Sequence, residues 1–357
     1  MSSILIKNGL LWNGTRFLEG DVYTEEGVIT KLGSCGEMAD FVYDASGCIV
    51  SPGLVDIHTH MRGISIETFG THAEMSSFPF GVTAAADASG AFGDKALLDS
   101  FMLKNAVFVC SEIKDNCADF SLSEGLLKKY EDRAIGIKVY FDTEITDVRD
   151  SSPLAQICSF AREHGLITMV HCSNSPVSMA EIADVLNCGD IITHSFHGGV
   201  NNAQEDGFVA LQKAKRKGII IDAGMAGHVH TDFGVLKNAI ANGIFPDTIS
   251  TDITKFSAYV RGGIYGMTMC MSIMRTLGMP EENILKAVTS NAAKALNKNE
   301  SWGYLAEGRS ADIAVLRYSD GGFDITDKAG NNVKDHRGYQ CLLTVADGQI
   351  VYRCRKG

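Results

Sequence analysis

From Leu54 to Ala295 the chain alternates short β-rich runs with helical stretches, and the runs number eight. They are Leu54 to His60, Gly81 to Ser89, Ala106 to Ile113, Ile135 to Phe141, Leu166 to Cys172, Ile191 to Phe196, Ile219 to Ala223 and Thr248 to Ile253. Most are near-continuous apolar, β-branched segments without a polar face, the pattern of strands covered on both sides. Amphipathic candidates lie between them at Leu154 to His164, Val177 to Asn187, Gln204 to Lys217 and Glu281 to Asn297. Eight β/α units in about 240 residues predict an α/β fold of the closed (β/α)8, or TIM-barrel, type, whose usual size is about 250 residues. An open doubly wound sheet is the weaker alternative, because no Gly-x-Gly-x-x-Gly opens the first unit.

The flanks have a different period. Short alternating strands broken by Gly turns are predicted at Ile4 to Lys7, Asp21 to Thr24, Val28 to Leu32, Ile313 to Arg317, Leu342 to Ala346 and Ile350 to Arg353. Such strands pair with each other more readily than they stand alone. The expectation is a small β-sandwich domain formed by residues 1–52 plus 303–357, with the barrel, residues 53–302, inserted between its halves.

Composition narrows the function classes. With 45% hydrophobic and 21% charged residues the chain is globular and neither disordered nor low-complexity. A net charge of −11 without a long basic run gives no footprint for nucleic acid. The N-terminus turns polar before a signal region forms, and no apolar run reaches the ~18 residues of a membrane span. Ten cysteines without a Cys-x-x-Cys pair are expected to be reduced, mostly buried thiols in a cytoplasm. A small-molecule substrate is therefore expected, without nucleic acid or membrane, and self-association into a homo-oligomer is left open.

The unusual polar residues sit at predicted C-terminal strand ends, where a barrel presents functional side chains. In Val55-Asp56-Ile57-His58-Thr59-His60 the period of two aims both imidazoles to one side, so that they can share a metal ion; the plainer reading is two independent polar residues. Lys138 lies within the apolar run Ile135 to Phe141. A buried ammonium is costly unless paired or chemically altered, and the bland alternative is a lysine whose amine reaches the rim. Carboxylation by CO2 would make it an anionic carbamate able to bridge two metals. His171, His194 and Asp252 end the fifth, sixth and eighth runs. Each is weak alone; together the six supply N and O donors for two divalent ions without a thiolate, a set that suits Zn²⁺.

Three longer motifs carry a family resemblance. Pro52-Gly53-Leu54-Val55-Asp56-Ile57-His58-Thr59-His60, Gly81-Val82-Thr83 and Leu305-Ala306-Glu307-Gly308-Arg309-Ser310-Ala311-Asp312 resemble the amidohydrolase superfamily in its binuclear subtype, over essentially the whole chain. Cys188-Gly189-Asp190-Ile191-Ile192-Thr193-His194 and Pro246-Asp247-Thr248-Ile249-Ser250-Thr251-Asp252 are similar to a bacterial amidohydrolase/deacetylase subgroup whose members carry the names dihydroorotase and adenine deaminase. The resemblance implies that His58 and His60 hold the more buried Zn²⁺ with Asp252, that His171 and His194 hold a second, and that a CO2-derived carbamate on Lys138 bridges them. It also implies attack by a hydroxide shared between the ions, with Asp252 as proton carrier, and hydrolysis of an N-acyl, O-acyl or cyclic amide bond.

Substrate signals are fewer. Arg62 stands at the spacing at which dihydroorotase-like enzymes clamp a substrate carboxylate, which points to a small anionic substrate; the alternative is a structural Arg. The seventh run departs from the subgroup pattern Asp-x-Gly-His-Gly: Met225 fills the His position, and His228 and His230 follow as candidate substrate contacts. His197, just past the sixth run, is a further candidate. Tyr140 is divided between pocket and packing, and Cys172 is assigned to the core. Two other readings are carried alongside: a dihydroorotase-like cyclic amidase or purine deaminase, and a non-catalytic scaffold of the same fold. A mononuclear deaminase is disfavoured because Cys172-Ser173-Asn174-Ser175 supplies no Glu after His171, and a scaffold because all six ligand positions are filled.

Overall fold

The computed structural model describes residues 3–61, 70–90, 95–226, 229–260 and 266–354. Seven parallel strands run in sequence order around one sheet: β1 (Leu54–Thr59), β2 (Val82–Gly90), β3 (Lys104–Lys114), β4 (Ala134–Tyr140), β5 (Ile167–His171), β6 (Ile191–Thr193) and β7 (Ile220–Ile221). The eighth run closes the ring without forming a regular strand. It bridges β7's end through Asp222 and Thr248 and the first strand through Thr59 and Ile253, both parallel. Its ladder is interrupted because Thr251 donates its N–H to the Asp56 carboxylate at 3.1 Å and Asp252 takes a left-handed φ of +46°. The expected TIM barrel is thus present.

The period of two sorts β1 cleanly. Val55 and Ile57 pack outward with Ala292 of the helix Ser290–Ala295 and Leu296 at its C-terminal end, while Asp56 and His58 take the opposite face, toward the barrel axis. The expected helix from Glu281 to Asn297 is two helices, Glu281–Ala287 and Ser290–Ala295. They are separated at Thr289, whose φ of −132° and ψ of −98° are not helical and whose Oγ1 accepts from the Trp12 indole at 3.1 Å. The helix expected from Gln204 starts only at Val209, behind Phe208 with a left-handed φ of +67°.

Both chain ends build one eight-stranded sheet. Ile49–Pro52 is its joint, parallel to Ser3–Trp12 and antiparallel to Ile313–Ser319. Ile29 and Leu343, from strands well separated on the sheet path, share one core cluster with Val50 and Ile313, so the sheet packs on itself as a sandwich does. A hairpin, Phe323–Thr326 with Asn332–Asp335, reaches the other way. Its loop residue Asp327 accepts the Phe233 N–H at 2.7 Å, at the head of the helix following β7.

The chain passes from sheet to barrel through a single residue, Gly53, whose N–H donates to Asp312 at 2.8 Å. A Cβ there would stand 1.9 Å from Thr83 Oγ1 at the start of β2. Only glycine lets the sheet approach this closely. Gly53→Ala is therefore expected to destabilise the protein by about 1–3 kcal/mol through overpacking, read as a lower midpoint in urea unfolding with an unchanged slope.

Candidate metal centre

Barrel strands bring their C-terminal ends to one mouth, and the first link from sequence to site is that geometry. His58 comes from β1 and His60 from just beyond it, Lys138 from β4, His171 from the last residue of β5, His194 from just beyond β6, and Asp252 from the eighth run. All six line one cavity of about 180 Å³, with Tyr140, Ile145, Val229, His230 and Phe256 in its walls. His194 and Asp252 both have left-handed backbones, φ +62° and +46°. A non-glycine residue held there stores on the order of 1–3 kcal/mol, which the surrounding packing must offset.

The carboxylate of Asp252 is the hub. Its Oδ1 lies 2.6 Å from His60 Nε2 and 3.2 Å from His58 Nε2. Its Oδ2 faces His194 Nε2 at 3.7 Å and His230 Nε2 at 4.0 Å. Burial raises the pKa of Asp252, but the facing His58 and His60 overcome it and hold the carboxyl well below its usual range. Burial pushes His58, His171 and His194 down, toward the neutral form whose lone pair can take a cation.

Which nitrogen carries that lone pair is decided by the partner of the other. Thr193 Oγ1 donates to Asp222 at 2.8 Å and so accepts from His58 Nδ1 at 3.0 Å, leaving His58 Nε2 without a proton of its own. Ser89 Oγ donates to Asp87 and accepts from His60 Nδ1 at 3.2 Å. The Gly224 carbonyl accepts from His194 Nδ1 at 2.7 Å, and the Asp142 carboxylate from His171 Nε2 at 3.1 Å. Outer partners of this kind fix the tautomer and orientation of metal-binding histidines. Gly224 has to be glycine, since at φ +51° its Cβ would stand 2.6 Å from His194 Nδ1.

Two observations test whether these residues suit a metal. His194 Nε2 is a buried, unprotonated nitrogen without a hydrogen-bond partner among the described residues, a costly state that a cation removes. One ligand atom each of His58, His194 and Asp252 lies within 4.8 Å of the others, and the same holds for His171, His194 and His230. The donor set fits divalent ions. Lys138 has no exposed surface, which excludes an amine at the rim. Its Nζ sits 3.0 Å from His58 Nε2 and 5.6 Å from the centre of the Tyr140 ring. Burial lowers its pKa to about 8, with Asp252 and Asp222 opposing.

Of the expected substrate contacts, Arg62 and His228 lie outside the described residues. His230 enters the metal cavity, and its Nδ1 lies 3.0 Å from Ser173 Oγ. His197 is buried in the wall of an adjoining chamber of about 510 Å³, which also carries Asp142, Glu144, Asp232 and Lys328. Tyr140 borders the metal cavity, and Cys172 is a core thiol that donates to the Thr193 carbonyl. The sequence reading passed over Asp142, Thr193 and the two carboxylates under the site, Asp56 and Asp222. Burial pushes Asp56 up to about 7 and Asp222 up to about 6, against hydrogen bonds from Thr251, Ser250, Thr193 and Thr248. A signal existed for these two: each is an acid inside an otherwise apolar strand run.

A parallel barrel with a buried His/Lys/Asp cluster at its C-terminal mouth defines a metal-dependent hydrolase of carbon–nitrogen bonds. The amidohydrolase family model matches residues 49–351, and the chain belongs to that family. A deacetylase from Brucella anthropi is 27% identical over 361 residues, covering 93% of this chain and 87% of its own. Two solved structures share the fold at 22% identity and a TM-score of 0.85: a dihydroorotase, covering 99% of this chain and 98% of that one, and an adenine deaminase, covering 99% and 100%. No helix among the described residues is long and apolar enough to cross a membrane.

Thr193→Val tests the supporting shell. Removing the hydroxyl between His58 and Asp222 is expected to weaken metal retention about 10–100-fold in chelator competition, with the fold intact.

Proposed function

We propose that the protein hydrolyses an amide or ester bond of a small, carboxylate-bearing molecule using two divalent ions, zinc being the ion this donor set suits. His58, His60 and Asp252 would hold one ion and His171 and His194 the other, with Lys138, as its CO2-derived carbamate, shared between them. The observation that carries the reading is Lys138 itself: a fully buried amine whose polar neighbours are His58 Nε2 at 3.0 Å and Met169 Sδ at 3.7 Å. Among the described residues it has no carboxylate ion-pair partner. A carbamate converts that unpaired cation into an anion facing metal-binding histidines.

When bound, such ions polarise a carbonyl and lower the pKa of water. Asp252 is placed to move the proton. Its Oδ1 is engaged by two imidazoles, whereas Oδ2, with nothing nearer than 3.7 Å among these histidines, is open to take a proton and release it to the leaving group. Tyr140, Ile145, Val229 and Phe256 limit water around the reacting bond. The deacetylase supports cleavage of an acyl bond; the two structures support the barrel alone. Preference for a carboxylate rests on Arg62, because the adjoining chamber sets three acids against one Lys328. Ten free cysteines support a reducing, cytoplasmic setting.

Metal analysis of protein purified with bicarbonate is expected to give about two equivalents of zinc per chain, falling together with activity in Lys138→Ala. A single ion with a fully active Lys138→Ala overturns the binuclear reading. Asp252→Asn is expected to lower turnover about 10²–10⁴-fold while metal stays bound. In a hydrolysis panel of N-acyl amino acids, acetylated hydroxy acids, cyclic ureides and adenine, neutral compounds outperforming carboxylates would overturn the anionic preference.

A further inference from the structure

His230 is a histidine that the strand-end pattern does not provide. The histidine position of the Asp-x-Gly-His-Gly pattern, two residues past the seventh run, is taken by Met225, a fully buried core side chain whose N–H donates to the Ser250 carbonyl at 3.0 Å. Five residues later the chain returns an imidazole to the site. The return is pinned: Thr231 bridges His197 in antiparallel fashion, and the Asp232 N–H donates to the Phe196 carbonyl at 2.9 Å. The Asp232 carboxylate then caps the following helix at Gly234 and Val235 and accepts from Asn331 of the C-terminal hairpin at 3.1 Å. His230 is therefore held from its C-terminal side by both structural units.

Its ring lies against the imidazoles assigned to the second ion. Centroids are 4.2 Å from His194 and 4.8 Å from His171. Nδ1 lies 3.0 Å from Ser173 Oγ, and Nε2 faces the same Asp252 oxygen as the orphaned His194 Nε2. Three imidazoles with one ligand atom each inside a 4.8 Å span form a three-histidine donor set of the kind that binds divalent zinc.

Resting on the binuclear reading above, the geometry points to His230 as a protein ligand of the ion held by His171 and His194, supplied from the seventh loop and not from a strand end. With a side chain 23% exposed at the mouth of the cavity, it is the ligand nearest to solvent and the one able to yield its place to a substrate group. His230 thus takes the role of a metal-binding residue in place of a contact to substrate alone.

The test uses the full chain stripped with chelator and reloaded with Co²⁺, comparing wild type, His230→Gln and His230→Cys. Wild type is expected to take up about two ions, and His230→Gln to lose one of them to competing chelator at least as readily as the 10–100-fold effect of an outer partner, roughly. His230→Cys is expected to keep both ions and gain a thiolate-to-cobalt charge-transfer band, which a residue outside the coordination sphere cannot produce. If wild type takes up no ion, the proposed function fails and this inference with it. If wild type binds two ions, His230→Gln retains both as tightly and His230→Cys shows no such band, this inference alone fails; a raised KM alongside those unchanged metal readouts would assign His230 to substrate.

Discussion

The ring nitrogens of His58, His60 and His194 converge with the Asp252 carboxylate in one buried cluster, and the rest of the mouth is arranged around that convergence. His194 Nε2 has no donor among the described residues, and a buried acceptor without a donor is expensive. Each histidine is held in place because its other nitrogen is already committed: His58 to Thr193, His60 to Ser89, His171 to Asp142 and His194 to the Gly224 carbonyl. In the polar layer below, Asp222 fixes Thr193, and Asp56 fixes Thr251 beside Asp252. The left-handed backbones of His194 and Asp252 are the local strain that this arrangement sustains.

The flanking sheet is more than an appendage. It reaches the N-terminal ends of the barrel strands at Gly53 and Thr83 and through the ion pair of Lys104 with Asp312. Its hairpin meanwhile reaches the opposite side, where Asp327 and Asn331 secure the start of the helix after β7. The loop that carries His230 is braced in this way by residues about 100 positions away in sequence. Packing between the two units thus acts on the geometry of the site and not on stability alone.

Much of the barrel was legible because parallel strands buried on both faces leave continuous apolar runs, and seven of the eight runs became strands. The eighth was harder to read as a ladder, since Asp56 and not a backbone carbonyl satisfies the Thr251 N–H. The helix from Glu281 was misread as continuous because apolar periodicity runs through Thr289, and the Trp12 contact that accompanies the break lies 277 residues away. The six strand-end residues could be picked out since polar residues are rare in such runs. Asp142 and Thr193 could not, because an aspartate in a loop and a threonine in a strand carry no local mark of the histidine they orient.

Local patterning by itself determined the architecture and the strand-end donors. A period of two decides which side chains face the axis, and a parallel barrel delivers its strand ends to one mouth whatever the loops do. Tertiary structure decided what periodicity cannot encode: that Lys138 is sealed from solvent, which nitrogen of each imidazole is left bare, and that a loop histidine, His230, shares a cavity with His171 and His194. Those facts depend on contacts between residues distant in sequence, and such contacts exist only once the ring of strands has closed.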